Sequence, residues 1–346
     1  MPFLFTVCHV GAEPAVKREF ARLHPNLRFA YSRPGFVTFK STAALAADFS
    51  PGAVFARAWG VSEGPTDDAK VIARARALGK PRLHVFSRFP DVQPDPAIRD
   101  RLLASGAFLA DERAKPGDAV VDVIVDGPQK VEDGGAKRVV ADPPWLGHHT
   151  HRAGRSPWAG GRFPVEVPED APARAFRKLE EALAWSGAPV AAGDVAIDLR
   201  AAPGGATYAL LRRGLRVIAV DPRPLSKVLA PFSAVDGRSV PRLTHLAMPI
   251  GEVRRDALPE RVQWVVWDAN IAPRLALQAL ERLIKPLRRS LKGVLLTLKM
   301  DDDGVIDALP QILGVVRELG FDARATQLPG GRGEVFCYAR TNRAQD

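Results

Sequence analysis

From residue 173 onward the chain alternates helical and strand periodicities. At Ala196-Ile-Asp-Leu-Arg-Ala-Ala-Pro-Gly-Gly205 an apolar strand runs through a glycine turn directly into a helix. Such alternation commits a chain to a doubly wound, mostly parallel sheet with helices on both faces. The periodicities predict helices over 173–186, 204–213, 223–230, 271–291 and 305–319, and strands over 194–199, 215–221, 242–247, 262–268, 293–299, 321–328 and 334–339. The last two strands, joined by Pro329-Gly-Gly-Arg-Gly333, read as an antiparallel hairpin at the sheet edge.

Ahead of this α/β region the pattern is that of a smaller α+β region. Strands are expected over 3–10, 27–31 and 35–39, with a helix over 13–24 and a turn at Arg33-Pro-Gly35. A helix over 67–78, a strand over 82–87, a helix over 96–105 and a strong strand over 119–125 follow. From 126 to 168 turn residues dominate, and the stretch reads as connector with one short strand at 137–141. The implied division is 1–65, 66–168 and 169–346, in keeping with 346 residues that are 46% apolar. Cys8 and Cys337 stand far apart with no ligand spacing, so neither a disulfide framework nor a metal site is expected. No basic leader and no 18-residue apolar run is present, which points to a cytoplasmic chain with no membrane partner, expected to be a monomer. The net charge of +10, from 49 Lys and Arg against 39 Asp and Glu, favours a polyanionic partner without bearing on fold.

The glycine turn lets backbone N–H groups and a helix N-terminus approach a charged ligand. The next strand, Arg216-Val-Ile-Ala-Val-Asp221, ends in a carboxylate about twenty positions on, placed to accept bonds from ribose hydroxyls. The dinucleotide fingerprint G-x-G-x-x-G is absent. Instead Asp198-Leu-Arg-Ala-Ala-Pro-Gly-Gly205 resembles the D-L-x-A-x-P-G-G form of the FtsJ-like RNA 2′-O-ribose methyltransferases. The resemblance implies a Rossmann-like methyltransferase domain that binds S-adenosyl-L-methionine through Asp198, Ala202, Pro203, Gly204, Gly205, Asp221 and Asp268. It also implies a catalytic tetrad of Lys178, Asp268, Lys299 and Glu334. By that analogy Lys299 is the base that deprotonates the ribose 2′-hydroxyl, Lys178 helps depress its pKa, and Asp268 and Glu334 orient the ammonium groups and the ribose.

Pro168-Glu-Asp-Ala-Pro172, Trp145-Leu-Gly-His-His149 and Ser156-Pro-Trp-Ala-Gly-Gly161 are similar to the bacterial 23S rRNA 2′-O-ribose cytidine methyltransferases, the RlmM-like group. That likeness implies an N-terminal ferredoxin-like region and a THUMP-like RNA-binding region, with 23S rRNA or its precursor as partner. Val10-Gly-Ala-Glu13 and Arg33-Pro-Gly-Phe-Val-Thr-Phe39 are similar to the group's opening. The chain departs from the family pattern at Arg200, where a glycine is usual, and at Ala206, Met248-Pro249 and Ala173.

Two rival readings follow from particular residues. Arg200 and Pro249 motivate a catalytically degenerate methyltransferase fold kept as an RNA-binding or ribosome-assembly factor. Asp142-Pro-Pro-Trp145 matches the catalytic tetrapeptide of adenine N6-methyltransferases, although the proposed sheet already ends a strand in Asp268. His148, His149 and His151 lack a completing carboxylate or cysteine for a metal and read as RNA contact or loop. Lys285-Pro-Leu-Arg-Arg-Ser-Leu-Lys292 reads as the solvated face of a helix whose Leu280, Ile284, Leu287 and Leu291 form the buried stripe.

Overall fold

The computed structural model describes residues 1–126, 129–133, 136–140, 142–233, 241–269, 271–300, 303–331 and 333–341. The chain divides into two units, Met1–Phe163 and Pro164–Asp346. In the first, β1 (Phe3–Val7), α1 (Glu13–Leu23), β2 (Leu27–Arg33), β3 (Phe36–Ser41), β4 (Ala58–Pro65), α2 (Asp68–Ala77), β5 (Arg82–Ser87), α3 (Pro96–Ala104), β6 (Ala119–Val125), β7 (Gln129–Asp133), β8 (Ala136–Val140) and β9 (Trp145–Thr150) follow in order. Seven of these strands form one sheet, β2-β3-β1-β4-β9-β6-β5, and β7 pairs with β8 separately. The boundary expected at 65/66 therefore falls immediately after β4, whose free edge is taken by β9 from the following segment.

Helix starts follow local chemistry. Asp67 caps α2 by accepting the Lys70 N–H at 2.9 Å, and Asp95 caps α3, with Pro96 in its first turn. Strand alternation then assigns two opposed layers. On one face Phe20 of α1 stacks on Phe39 with centroids 4.4 Å apart, and Val71, Ala75 and Leu102 of α2 and α3 bury Leu83, Val121 and Val123. On the other, Phe5, Phe36, Phe86 and Ile124 form an apolar layer against Ala159.

That second face also carries a buried polar cluster. Asp122 is 1% exposed and accepts from His149 Nδ1 at 2.6 Å, and His84 lies 3.7 Å from its other oxygen. His149 and His151, read from sequence as loop or RNA contact, are instead 2% and 3% exposed, on β9 and just beyond it. His148 faces the other way and pairs with Glu63 at 2.8 Å. Burial, reinforced by the Arg155 charge, pushes His149 down to about 3 and His151 down to about 4. The unfolded imidazoles take protons near 6.5, so below that pH protons bind the unfolded chain preferentially. Stability is thus full above 6.5 and is lost as pH falls, at up to ~1.4 kcal/mol per pH unit for His149 alone. Thermal melts of the first unit should drop by about 4–8 °C between pH 7 and pH 5; a flat profile would show that the histidines protonate without penalty.

The second unit contains α4 (Ala175–Ser186), β10 (Val195–Leu199), α5 (Gly205–Arg212), β11 (Arg216–Val220), α6 (Ala230–Ser233), β12 (Leu243–Leu246), β13 (Trp264–Ala269), α7 (Pro273–Ile284), β14 (Gly293–Lys299), α8 (Asp303–Glu318), β15 (Phe321–Thr326) and β16 (Glu334–Thr341). Its sheet runs β12-β11-β10-β13-β14-β16-β15, with β16 antiparallel to both neighbours, as the hairpin reading expects. After β10 the chain first winds outward through β11 and β12, then returns to the other side with β13. The crevice beyond the carboxyl ends of β10 and β13 is thus the switch point where open α/β sheets bind ligands.

The helix expected over 271–291 ends at Ile284 and continues as a 3-10 turn, Lys285–Leu287, because Pro286 has no N–H to extend the α ladder. Leu280, Ile284, Leu287 and Leu291 are nevertheless all buried. The helix expected over 223–230 is a 3-10 turn, Lys227–Leu229, running into the single turn of α6. No helix among the described residues is long and apolar enough to cross a membrane.

Candidate active site

The turn after β10 is shaped by close packing. Gly204 sits at φ 113°, in the left-handed region, and a Cβ on Gly205 would lie 2.8 Å from the Phe176 nitrogen and 2.9 Å from the Ala173 oxygen. The glycines let the start of α5 press against the start of α4, the helix that carries Lys178. Arg200 precedes them at φ 61°, a strained conformation for a side chain of its size, with its backbone N–H donating to the Val220 oxygen at 2.9 Å.

Asp198, 2% exposed, accepts from the Thr207 hydroxyl at 2.6 Å and so braces the turn from inside. Burial raises its carboxyl to about 7, aided by the charges of Asp268 and Asp221 and opposed by the Thr207 bond. Asp221 follows β11 and accepts from the Ala202 N–H at 3.0 Å, the Arg223 N–H at 2.9 Å and the Arg223 guanidinium at 3.1 and 3.2 Å. Burial works to raise its pKa, but these donors outweigh it and hold the carboxyl below the ordinary range. Ala202, Pro203, Gly204, Gly205 and Asp221 are therefore gathered at one sheet end, with Arg223 across Asp221. Met248 and Pro249 follow β12 and lead into a 3-10 turn, Ile250–Glu252.

Three tetrad residues meet beside this turn. Lys178 Nζ donates to Glu334 Oε2 at 2.6 Å and lies 3.5 Å from Asp268 Oδ2. Burial disfavours the Lys178 charge, yet the Glu334 hydrogen bond and the Asp268 charge outweigh it and raise its pKa. Lys178 is thus a fixed ammonium. Lys299 ends β14 directly opposite Glu334 in the β14–β16 register. Its backbone lies in the β14–β16 ladder, and among the described residues its amine has no hydrogen-bond or ion-pair partner. A cleft lined by Ala175, Lys178, Ala206, Asp268, Thr297 and Phe336 places Lys178 and Asp268 beside the first turn of α5.

Sequence reasoning passed over two neighbours. Arg223 shows itself only through its pairing with Asp221. Glu181, three residues after Lys178, is wholly buried and binds the loop ahead of Glu334; its spacing from Lys178 was the available signal. Asp142, by contrast, lies in the first unit and pairs with Arg33 at 2.9 Å, while Trp145 packs edge-on against Phe36. The tetrapeptide is part of that sheet's aromatic layer and stands outside the sheet that holds the glycine turn. Among the described residues no cluster suits a metal ion.

Residues 171–293 match the FtsJ-like methyltransferase family. The chain is 33% identical over 195 residues to a Ribosomal RNA large subunit methyltransferase M from Halorhodospira halophila, covering 54% of this chain and 52% of the relative. It is 34% identical over 195 residues to the protein of that name from Alkalilimnicola ehrlichii, covering 53% and 49%, and 32% identical over 209 residues to that from Laribacter hongkongensis, covering 58% and 54%. The chain thus spans about half the length of the curated relatives it matches.

Proposed function

We propose that this chain, whose residues 171–293 belong to the FtsJ-like methyltransferases, transfers a methyl group from S-adenosylmethionine to a ribose 2′-hydroxyl of RNA, with 23S rRNA as substrate. The observation that carries this reading is the gathering of Lys178, Asp268 and Glu334 beside the glycine turn, with Lys299 opposite Glu334 in the β14–β16 register. The relatives' shared name supports a large-subunit ribosomal RNA as substrate. The first unit, residues 1–163, serves in this reading as the RNA-binding region, ferredoxin-like and THUMP-like in character.

The donor set fits the cofactor. Asp221 offers a carboxylate to ribose hydroxyls, Gly204 and Gly205 offer backbone N–H groups, and Ala206 lines the cleft with Asp268. Asp221 becomes available when Arg223 swings aside; the Arg223 side chain is 61% exposed, so little packing holds it. When bound, the cofactor supplies an electrophilic methyl group. A ribose hydroxyl is a poor nucleophile until its proton leaves, and Lys299 is assigned to take it. The Lys178 ammonium is held by Glu334 and Asp268, which fix its geometry.

Arg223→Ala is expected to tighten S-adenosylhomocysteine binding a few-fold in calorimetry, because Asp221 then has no side-chain competitor; weaker binding would make Arg223 a cofactor ligand instead. Two observations favour the second reading, a degenerate RNA-binding factor: Arg223 across Asp221 and the strained Arg200. Both readings are tested by incubating purified protein and labelled cofactor with ribosomal RNA from a strain lacking the gene. Nucleoside analysis should find a 2′-O-methylated product. Label on a base would refute ribose transfer, and RNA binding without cofactor binding would establish the degenerate factor.

A further inference from the structure

We propose that Glu181 is a positioning residue that pins the β15–β16 loop to α4 and thereby sets Glu334 against Lys178. The inference rests on the methyltransferase reading above. Lys178 and Glu181 are three positions apart on α4 and share one face of it. Glu181 is a carboxylate with 1% side-chain exposure. Its Oε2 accepts the Gly330 N–H at 2.9 Å and its Oε1 accepts from Arg177 Nε at 2.9 Å. A Cβ on Gly330 would lie 2.8 Å from Glu181 Oε2, so the loop backbone lies close against this carboxylate.

At its far end the loop is fastened to β14, where the Met300 N–H donates to the Gly333 oxygen at 2.9 Å. Glu334 follows immediately and pairs with Lys299 in register. The loop is thus held at two points, one on the strand that ends in Lys299 and one on the helix that carries Lys178. The 2.6 Å bond between Lys178 and Glu334 closes the same circuit. A buried carboxylate is costly unless fully hydrogen-bonded, and here one of its two bonds spans 149 residues of chain to the loop that delivers Glu334. Without the pin, Glu334 drifts relative to Lys178, and displacement of about 1 Å in such a site is worth on the order of a hundredfold in rate.

The test compares Glu181→Ala, Glu181→Gln, Gly330→Ala and the Glu181→Ala/Gly330→Ala double variant, below their melting temperatures. Three readouts are taken: single-turnover methylation of RNA, affinity for S-adenosylhomocysteine, and hydrogen exchange of the Gly330 amide. Glu181→Ala should lose about a hundredfold in rate, keep cofactor affinity within about twofold, and exchange the Gly330 amide at least about tenfold faster. Glu181→Gln, which retains an acceptor, should recover much of both losses. The double variant should be no worse than the poorer single, as expected of two residues acting through one contact. Unchanged exchange in Glu181→Ala overturns the pin, as does faster exchange with an unchanged rate or with a parallel loss of cofactor affinity. A wild-type protein that methylates no RNA overturns the methyltransferase reading, and the exchange measurement then decides the pin separately.

Discussion

Lys299→Ala should lower the single-turnover rate of methyl transfer about a thousandfold while leaving S-adenosylhomocysteine affinity within about threefold. That size is what loss of a positioned general base produces, roughly 4 kcal/mol of barrier. The selectivity follows from position. Lys299 lies on β14 opposite Glu334, whereas the cofactor donors follow β10 and β11 on the other side of β13. Lys299→Arg separates base from mere charge: a guanidinium keeps the charge but cannot lose its proton near neutral pH, so it should not rescue. Recovery of activity by arginine would reassign Lys299 to electrostatic support. Lys178→Ala should also be severe, but by another route, since it leaves Glu334 and Asp268 without their shared cation.

The second large effect is expected far from the chemistry. Asp122→Ala should destabilise the first unit by about 3–5 kcal/mol, the range for breaking a buried charge network by removing one partner. Asp122 accepts the His149 ring N–H, and Arg155 depends on it as well: burial pulls that guanidinium down to about 10 while the Asp122 charge opposes the shift. Asp122→Asn, which keeps an acceptor without the charge, should fall between. Chemical denaturation followed by probes in each unit would reveal the loss, and a cost under about 1 kcal/mol would mean that the cluster relaxes around the gap.

The second unit was largely legible because each level of its sequence agrees with the next: buried apolar strands, a glycine turn with one packing solution, and carboxylates or lysines at the ends of parallel strands. The hairpin and the buried stripe through Leu280 and Leu291 follow from those patterns, whereas Lys178 and Glu334 stood out only through the family resemblance. In the first unit, β4 and β9 escaped notice. Their residues do not alternate polar with apolar, since His149 is buried against Asp122 and Trp59 donates to the Phe49 oxygen. Polar residues satisfied inside a sheet read like a loop, so Trp145–Thr150 was taken for connector although it lies between β4 and β6. Arg223 and Glu181 were missed for a related reason, since the importance of each comes from a partner that local patterns cannot reveal.

The bond between Lys178 and Glu334 joins residues 156 positions apart. The cofactor turn, Asp221, Asp268 and Lys299 are all synthesised before the strand that begins with Glu334. Until that strand pairs with β14, Lys178 lacks the partner that fixes its charge, and Lys299 has no neighbour across the sheet. A nascent chain can therefore shape its nucleotide crevice early and still be chemically silent. The cluster around Lys178 is in this way completed only when β16 is in place.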